Sequence, residues 1–201
     1  MKIIGLTGPI GAGKDAVAKV LRKCGAYIID ADRVAHGLYA FQSPAWHEIV
    51  KVFGSRILMR GGKINRKKLG EIVFADKKKL QLLDKIIHPH LKEAILKILD
   101  DQKTESSKQI IVINAAVLKE IGLVDYVDEV WVVMASKEIS VRRLVKLGLS
   151  KQEALRRINS QMPQKDYFKI ADIVIKNEGT IKQLNAKVQT CLERTRCPHP
   201  R

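Results

Sequence analysis

The chain has few cysteines, few aromatic residues and no long apolar run, and each shortage removes a class of protein. Its three cysteines, Cys24, Cys191 and Cys197, are odd in number and contain no C-x-x-C spacing. They offer neither a disulfide framework nor a zinc site, and they fit a reducing compartment. No apolar stretch approaches the roughly 20 residues of a transmembrane helix, which predicts a cytoplasmic protein with no membrane partner. Met1-Lys2 and the apolar residues after it imitate a signal peptide, but Pro9, the repeated glycines and the early charges Lys14 and Asp15 contradict that reading. Aromatic residues make up only 5%, and without aromatic-basic interleaving they leave little for stacking on bases. Acidic residues are outnumbered, 21 against 37 basic ones among 201, for a formal charge of +16. That balance excludes an acidic disordered chain, and 46% hydrophobic residues exclude disorder altogether. Two polyanionic partner classes remain: nucleic acids and phosphorylated small molecules. The charge is +4 over residues 1–59, +6 over 60–108 and +6 over 109–201, so no basic arm or tail is set apart. The sequence sets no oligomeric state.

The length predicts a single domain, 1–201, with room for an insertion. Short apolar runs at Lys2 to Thr7, Ala26 to Ile29, Ile110 to Ile113, Val130 to Met134 and Ile173 to Ile175 alternate with helical patterns. Continuous rather than alternating apolar strands are what a parallel sheet covered on both faces requires. The predicted fold class is therefore α/β, three layers deep around a five-stranded parallel sheet. The gap between the second and third strands, about 80 residues, exceeds a crossover helix. Its helical patterns, Pro44 to Phe53, Arg66 to Val73, Lys77 to Ile87 and Leu91 to Leu99, predict a helical insertion over 33–108. Thr104 to Lys108 reads as a loop, and 190–201 as a flexible tail.

The strongest signal is Gly8-Pro9-Ile10-Gly11-Ala12-Gly13-Lys14, placed after a strand and before a helix. It has the G-x-x-x-x-G-K spacing of a phosphate loop. Its glycines let successive N–H groups turn inward into an anion nest, and the helix N-terminus adds about half a positive charge. Gly8 to Ala16 are thus candidate nucleotide-binding residues, with Lys14 reaching phosphate oxygens. One position departs from the pattern. The Ser or Thr whose hydroxyl would coordinate Mg²⁺ is replaced by Asp15, a carboxylate that can ligate the ion directly. Asp15 is the candidate metal ligand. A second candidate pair, Asp30-Ala31-Asp32, follows the second strand. Extended residues two apart face one side, so both carboxylates could take a proton from an attacking hydroxyl or hold Mg²⁺ through water. Either could equally cap a helix beginning near Arg33.

These residues, in order, resemble one family. Gly5 to Lys14, Ile29-Asp30-Ala31-Asp32, Val52-Phe53-Gly54, Asn65 to Leu69, Val73-Phe74 and His88-Pro89 are similar to the pattern of dephospho-coenzyme A kinases. So are Gly148-Leu149-Ser150, Arg157-Ile158, Gln161-Met162, Ala171-Asp172 and Asn177. The resemblance implies a P-loop kinase fold with a helical acceptor-binding insertion and a helical lid over 136–168. It implies transfer of the γ-phosphoryl group of ATP, with Mg²⁺, to the ribose 3′-hydroxyl of dephospho-CoA. By the same resemblance Asp32 is the catalytic base and an acceptor contact, with Lys14 and Arg143 the catalytic cations. Arg157 and Asn177 lie toward ATP, and Arg66 and His88 toward the acceptor. The chain departs from the family at Leu147, where a second lid arginine is expected, leaving Arg142 or Lys146 to take over its phosphate contact. It departs again after the Ile110 strand, where Asn114-Ala115-Ala116-Val117-Leu118, then Glu120, stand in place of an acidic residue or a Pro-Leu-Leu; Asp15 would return a carboxylate on the opposite side of the ion. Two other readings compete: a kinase of another nucleoside or nucleotide acceptor, and a catalytically reduced P-loop protein that binds nucleic acid. Sparse aromatics argue against specific nucleic-acid binding.

Overall fold

The computed structural model describes residues 1–105 and 109–196. Five strands, β1 (Lys2–Thr7), β2 (Tyr27–Asp30), β3 (Ile110–Asn114), β4 (Glu129–Met134) and β5 (Ile173–Lys176), form one sheet in the order β2-β3-β1-β4-β5. The β1–β3, β1–β4 and β4–β5 pairs run parallel, with Leu6 beside both Asn114 and Trp131. The central strands are buried almost throughout, as their unbroken apolar composition requires. The expected α/β class and five-stranded parallel sheet are what the fold shows.

The chain divides into two compact units: Met1–Ile29 with Ser107–Lys119 and Leu123–Arg201, and Asp30–Ser106 with Glu120–Gly122. In the sheet unit, α1 (Lys14–Lys23) and α9 (Ile181–Arg196) share one core with the strands. Val17, Val20 and Leu21 of α1 meet Ile4, Leu6 and Trp131, along with Leu184 and Val188 of α9. Each such side chain contributes about 1.5–3 kcal/mol on burial, which fastens the helix behind the loop to the strand before it. The segment expected as a lid folds as three short helices, α6 (Lys137–Lys146), α7 (Lys151–Asn159) and α8 (Gln164–Lys169). The hydroxyls of Ser136 and Ser150 accept from the N–H groups of Ile139 and Glu153, starting α6 and α7. The expected tail is helical as far as Arg196, because Leu192 and Thr195 are still buried; residues 197–201 lie outside the described residues.

The helical unit holds α2 (Ala31–Leu38), α3 (Pro44–Phe53), α4 (Arg66–Phe74) and α5 (Lys77–Glu105), with α5 packed against the other three. Trp46 anchors the chain between α3 and α4: its Nε1 donates to the Gly62 carbonyl at 2.9 Å, and Phe41 meets its ring edge-on. One expectation is corrected here. The two helical patterns Lys77 to Ile87 and Leu91 to Leu99 are one helix, with His88-Pro89 in the middle of α5. A proline inside a helix costs about 3 kcal/mol through its missing N–H and its ring. Leu83, Ile87, Leu91, Ile95 and Leu99, four residues apart on both sides of it, are all buried, and together they outweigh that cost. The same helix runs to Glu105, so Thr104 and Glu105 belong to it and not to the expected loop; residues 106–108 lie outside the described residues. No helix among the described residues is long and apolar enough to cross a membrane.

Candidate functional site

The loop between β1 and α1 depends on backbone that only glycine supplies. Gly8 has φ +141°, and a Cβ there would lie 2.2 Å from the Val133 carbonyl oxygen. Gly13 has φ +93° and would drive a Cβ to within 2.3 Å of Asn177 Nδ2. Three side chains remote in sequence hold the loop. Arg143 Nη1 donates to the carbonyls of Gly11 and Ala12 at 3.1 and 2.9 Å, while its Nη2 donates to the Asn177 carbonyl at 2.9 Å. Asn177 Nδ2 donates to the Ala12 carbonyl at 2.8 Å. Gln161 Oε1 accepts from the Ile10 N–H at 2.7 Å. Tying down the carbonyls leaves the N–H groups at the start of α1, which have no partner within the helix, as the loop's anion-binding face.

Lys14 opens α1, and its Nζ donates to the Gly8 carbonyl at 3.1 Å, folding back over the loop. Asp15 follows in the first turn, exposed, where a carboxylate suits the positive end of the helix. Its Oδ1 accepts from Asn114 Nδ2 at 3.2 Å. Asn114, at the end of β3, is only 6% exposed, and its Oδ1 is buried without a hydrogen-bond partner. A buried amide oxygen left unpaired costs about 1–3 kcal/mol, so something outside the protein is expected to use it.

At the end of β2 the two aspartates divide their duties. Asp30 caps α2, its Oδ1 accepting from the N–H groups of Asp32 and Arg33 at 3.1 Å each. The helix therefore begins at Ala31, and the extended same-side arrangement expected for the pair is not formed. Asp32 sits in the first helical turn with no capping duty.

In the helical unit a pocket of about 580 Å³ is lined by Tyr39, Arg66, Lys67, Phe74, Leu80 and Asp84, among others. Arg66 lies over the Tyr39 ring, 5.2 Å from its centroid, in a cation–π contact. Burial pushes the Asp84 carboxyl above its ordinary range, opposed by His88, whose Nε2 is 4.0 Å from Asp84 Oδ1. Burial likewise raises the Tyr39 phenol, with Arg66 acting against it. Of the two residues predicted from the sequence, Arg66 lines the pocket itself, whereas His88 adjoins it only through Asp84, which, like Tyr39, was not predicted.

Among the other predicted residues, Asn177 is a buried clamp behind the loop. Arg143 holds carbonyls in the same way, and burial lowers its pKa without discharging it. Arg157 pairs with Glu153 at 2.6 Å, one helical turn away and in solvent. Leu147 ends α6 with 77% of its surface exposed. Gln161 stood in the resembling motif, but nothing in the local sequence assigned it to the loop, 151 residues away. Among the described residues no three His, Cys, Asp or Glu side chains cluster in a way that could hold a metal by themselves. Mg²⁺ sites of nucleotide enzymes commonly use one or two protein oxygens and complete the shell with phosphate and water; the Asp15 carboxylate and the orphaned Asn114 oxygen fit that description.

A parallel sheet whose first strand ends in a glycine nest, with a lysine and a carboxylate opening the next helix, defines a P-loop protein that binds phosphate groups. The comparisons narrow the class. The family model described as dephospho-CoA kinase matches residues 2–183. The dephospho-CoA kinase of Aquifex aeolicus is 41% identical over 193 residues, 96% of this chain and 97% of its own. That of Carboxydothermus hydrogenoformans is 40% identical over 195 residues, 96% and 94% of the two chains. The crystal structure of TT1252 from Thermus thermophilus superposes with a TM-score of 0.78 at 28% identity, covering 96% of this chain and 97% of that one. The chain belongs to the dephospho-CoA kinase family, and neither competing reading draws support from these matches.

Proposed function

We propose that the chain transfers the γ-phosphoryl group of ATP to the ribose 3′-hydroxyl of dephospho-CoA in the cytoplasm, yielding CoA and ADP, the last step of coenzyme A synthesis. The observation that carries this reading is the intact phosphate loop, clamped by Arg143, Asn177 and Gln161, in a chain that matches the family over residues 2–183. Phosphoryl transfer asks little covalent chemistry of a protein and much positioning and charge neutralisation.

In this reading the nest and the α1 N-terminus bind the β- and γ-phosphates. Lys14 leaves the Gly8 carbonyl for the phosphate oxygens, exchanging a neutral acceptor for a charged one. Arg143 keeps the loop in shape rather than reaching the γ-phosphate, since both of its terminal nitrogens are committed to carbonyls. Mg²⁺, held by Asp15 and Asn114, would supply further charge neutralisation when bound with ATP. Asp32 takes the proton of the 3′-hydroxyl as the oxygen attacks phosphorus, the capping work being done by Asp30. Arg66, with Lys67 and Tyr39, receives the acceptor's polyphosphate and its apolar remainder in the pocket of the helical unit, and His88 supports it from behind Asp84. Residues 136–168 serve as the lid that excludes water, with Arg157 and the exposed Arg142 and Lys146 as its candidate cations toward ATP.

A coupled assay of ADP release with and without dephospho-CoA, followed by mass analysis of the product, tests the proposal. Acceptor-dependent ADP release with formation of CoA is the expected result. ADP release indifferent to dephospho-CoA, or none at high enzyme concentration, would overturn it.

A further inference from the structure

P-loop enzymes hold their metal ion with two groups: a hydroxyl directly after the loop lysine, and an aspartate of a neighbouring hydrophobic strand. Here the neutral and charged groups are exchanged. The loop position is the carboxylate Asp15, and the hydrophobic strand Ile110–Asn114, paired to β1 in register, ends in the neutral Asn114. The two side chains touch, Asn114 Nδ2 donating to Asp15 Oδ1 at 3.2 Å. An ionised carboxylate only accepts hydrogen bonds, so the amide must turn its nitrogen toward Asp15. Its oxygen is then turned away from that hydrogen bond, and it is that oxygen which is buried and unpartnered.

From this contact we infer that Asp15 and Asn114 are a charge-exchanged metal-holding pair, in which Asp15 supplies the anionic ligand and Asn114 orients it while offering Oδ1 to the ion or to its bound water. The inference rests on the nucleotide-binding reading above and specifies how this chain completes its metal site despite two departures from the usual residue types. One negative charge is retained at the site, moved from the strand to the loop. Neither substitution is neutral alone: a serine at 15 beside Asn114 leaves no carboxylate, whereas an aspartate at 114 beside Asp15 puts two in contact.

Mn²⁺ binding to the full chain in the presence of the non-hydrolysable β,γ-imido analogue of ATP, followed by electron paramagnetic resonance, tests the pair without any acceptor. Asp15→Asn keeps the size and the hydrogen bond to Asn114 but removes the charge; it should weaken Mn²⁺ binding about 10- to 100-fold with an unchanged thermal unfolding curve. Asp15→Ser should weaken it similarly, and the exchange Asp15→Ser/Asn114→Asp should return it to within about threefold of the parent. Wild-type Mn²⁺ affinity in Asp15→Asn and Asp15→Ser, or a double variant no better than Asp15→Ser, would overturn the inference. Phosphorylation of dephospho-CoA by the parent chain, measured in parallel, judges the functional reading separately.

Discussion

Glu129 in the sheet unit and Asp84 in the helical unit are both carboxylates partly withdrawn from water, yet their pKa values move in opposite directions. Burial alone would raise Glu129, but Trp131 Nε1, Thr195 Oγ1 and Lys2 Nζ donate to it at 3.0, 2.8 and 3.1 Å and hold it below its ordinary range. Asp84 is raised by the same burial with only His88, 4.0 Å away, to oppose it. Glu129 thus has its polar bonds completed from within the sheet unit and ties β1, β4 and α9 together. The helical unit leaves a carboxylate short of partners at the edge of a pocket that also carries Arg66 and Lys67. Internal completion marks a scaffold, and incompleteness beside a cavity marks a place for a ligand.

The largest expected effect breaks the catalytic side of this comparison. Lys14→Ala should lower kcat by about 10²- to 10³-fold without a matching loss of stability, read from steady-state kinetics beside thermal unfolding. Arg143→Ala probes completion instead. It strips donors from the carbonyls of Gly11, Ala12 and Asn177, so unfolding in urea should show a loss of about 2–3 kcal/mol, accompanied by weaker ATP binding. Arg143→Lys should rescue little, because an ammonium cannot reproduce the planar fork. In the helical unit Pro89→Ala should stabilise by about 1–3 kcal/mol, measured the same way, since it restores an N–H inside α5 where the flanking apolar residues already enforce the helix.

The smallest effect is the sharpest test of the contrast. Because the folded-state pKa of Glu129 is depressed, its contribution is complete above the ordinary carboxylate range and is lost as pH falls through the folded value. Glu129→Gln should therefore be less stable than the parent near pH 7, the gap closing in acid. Asp84 has the opposite sign: its raised folded-state pKa means that ionisation costs stability as pH rises from the ordinary carboxylate value through the folded one. Asp84→Asn should gain relative to the parent near pH 7, and that gain should vanish in acid. Thermal unfolding of the two variants and the parent between about pH 3 and 7 would display gaps of opposite sign; gaps of the same sign would remove the distinction between the two carboxylates.

The features legible in the sequence are those that depend on neighbours along the chain. The strands announced themselves by continuous apolar runs, α3 by Ser43, Pro44 and its apolar period, and the phosphate loop by glycines whose positive φ no other residue tolerates at those contacts. The two roles weighed for the aspartates after β2 were legible as a pair, but which residue capped was not. Two residues of difference in where α2 begins decide it, and that start depends on the β2 backbone leading into Asp30. His88-Pro89 misled for a related reason: local propensity marks proline as a break, whereas burial of α5 on either side of it decides otherwise.

The sequence by itself determined the parallel sheet, the anion-binding loop and the family, since all three reside in short-range patterns and their order. Only the tertiary structure decided which side chains make the loop rigid. Arg143 and Asn177 reach it across 131 and 165 residues, and Gln161 across 151. Such contacts arise where β1, β4 and β5 are brought side by side and α6 and α7 follow them, a consequence of packing the whole sheet. The same packing set Asn114 against Asp15, turning two isolated departures in the sequence into one pair.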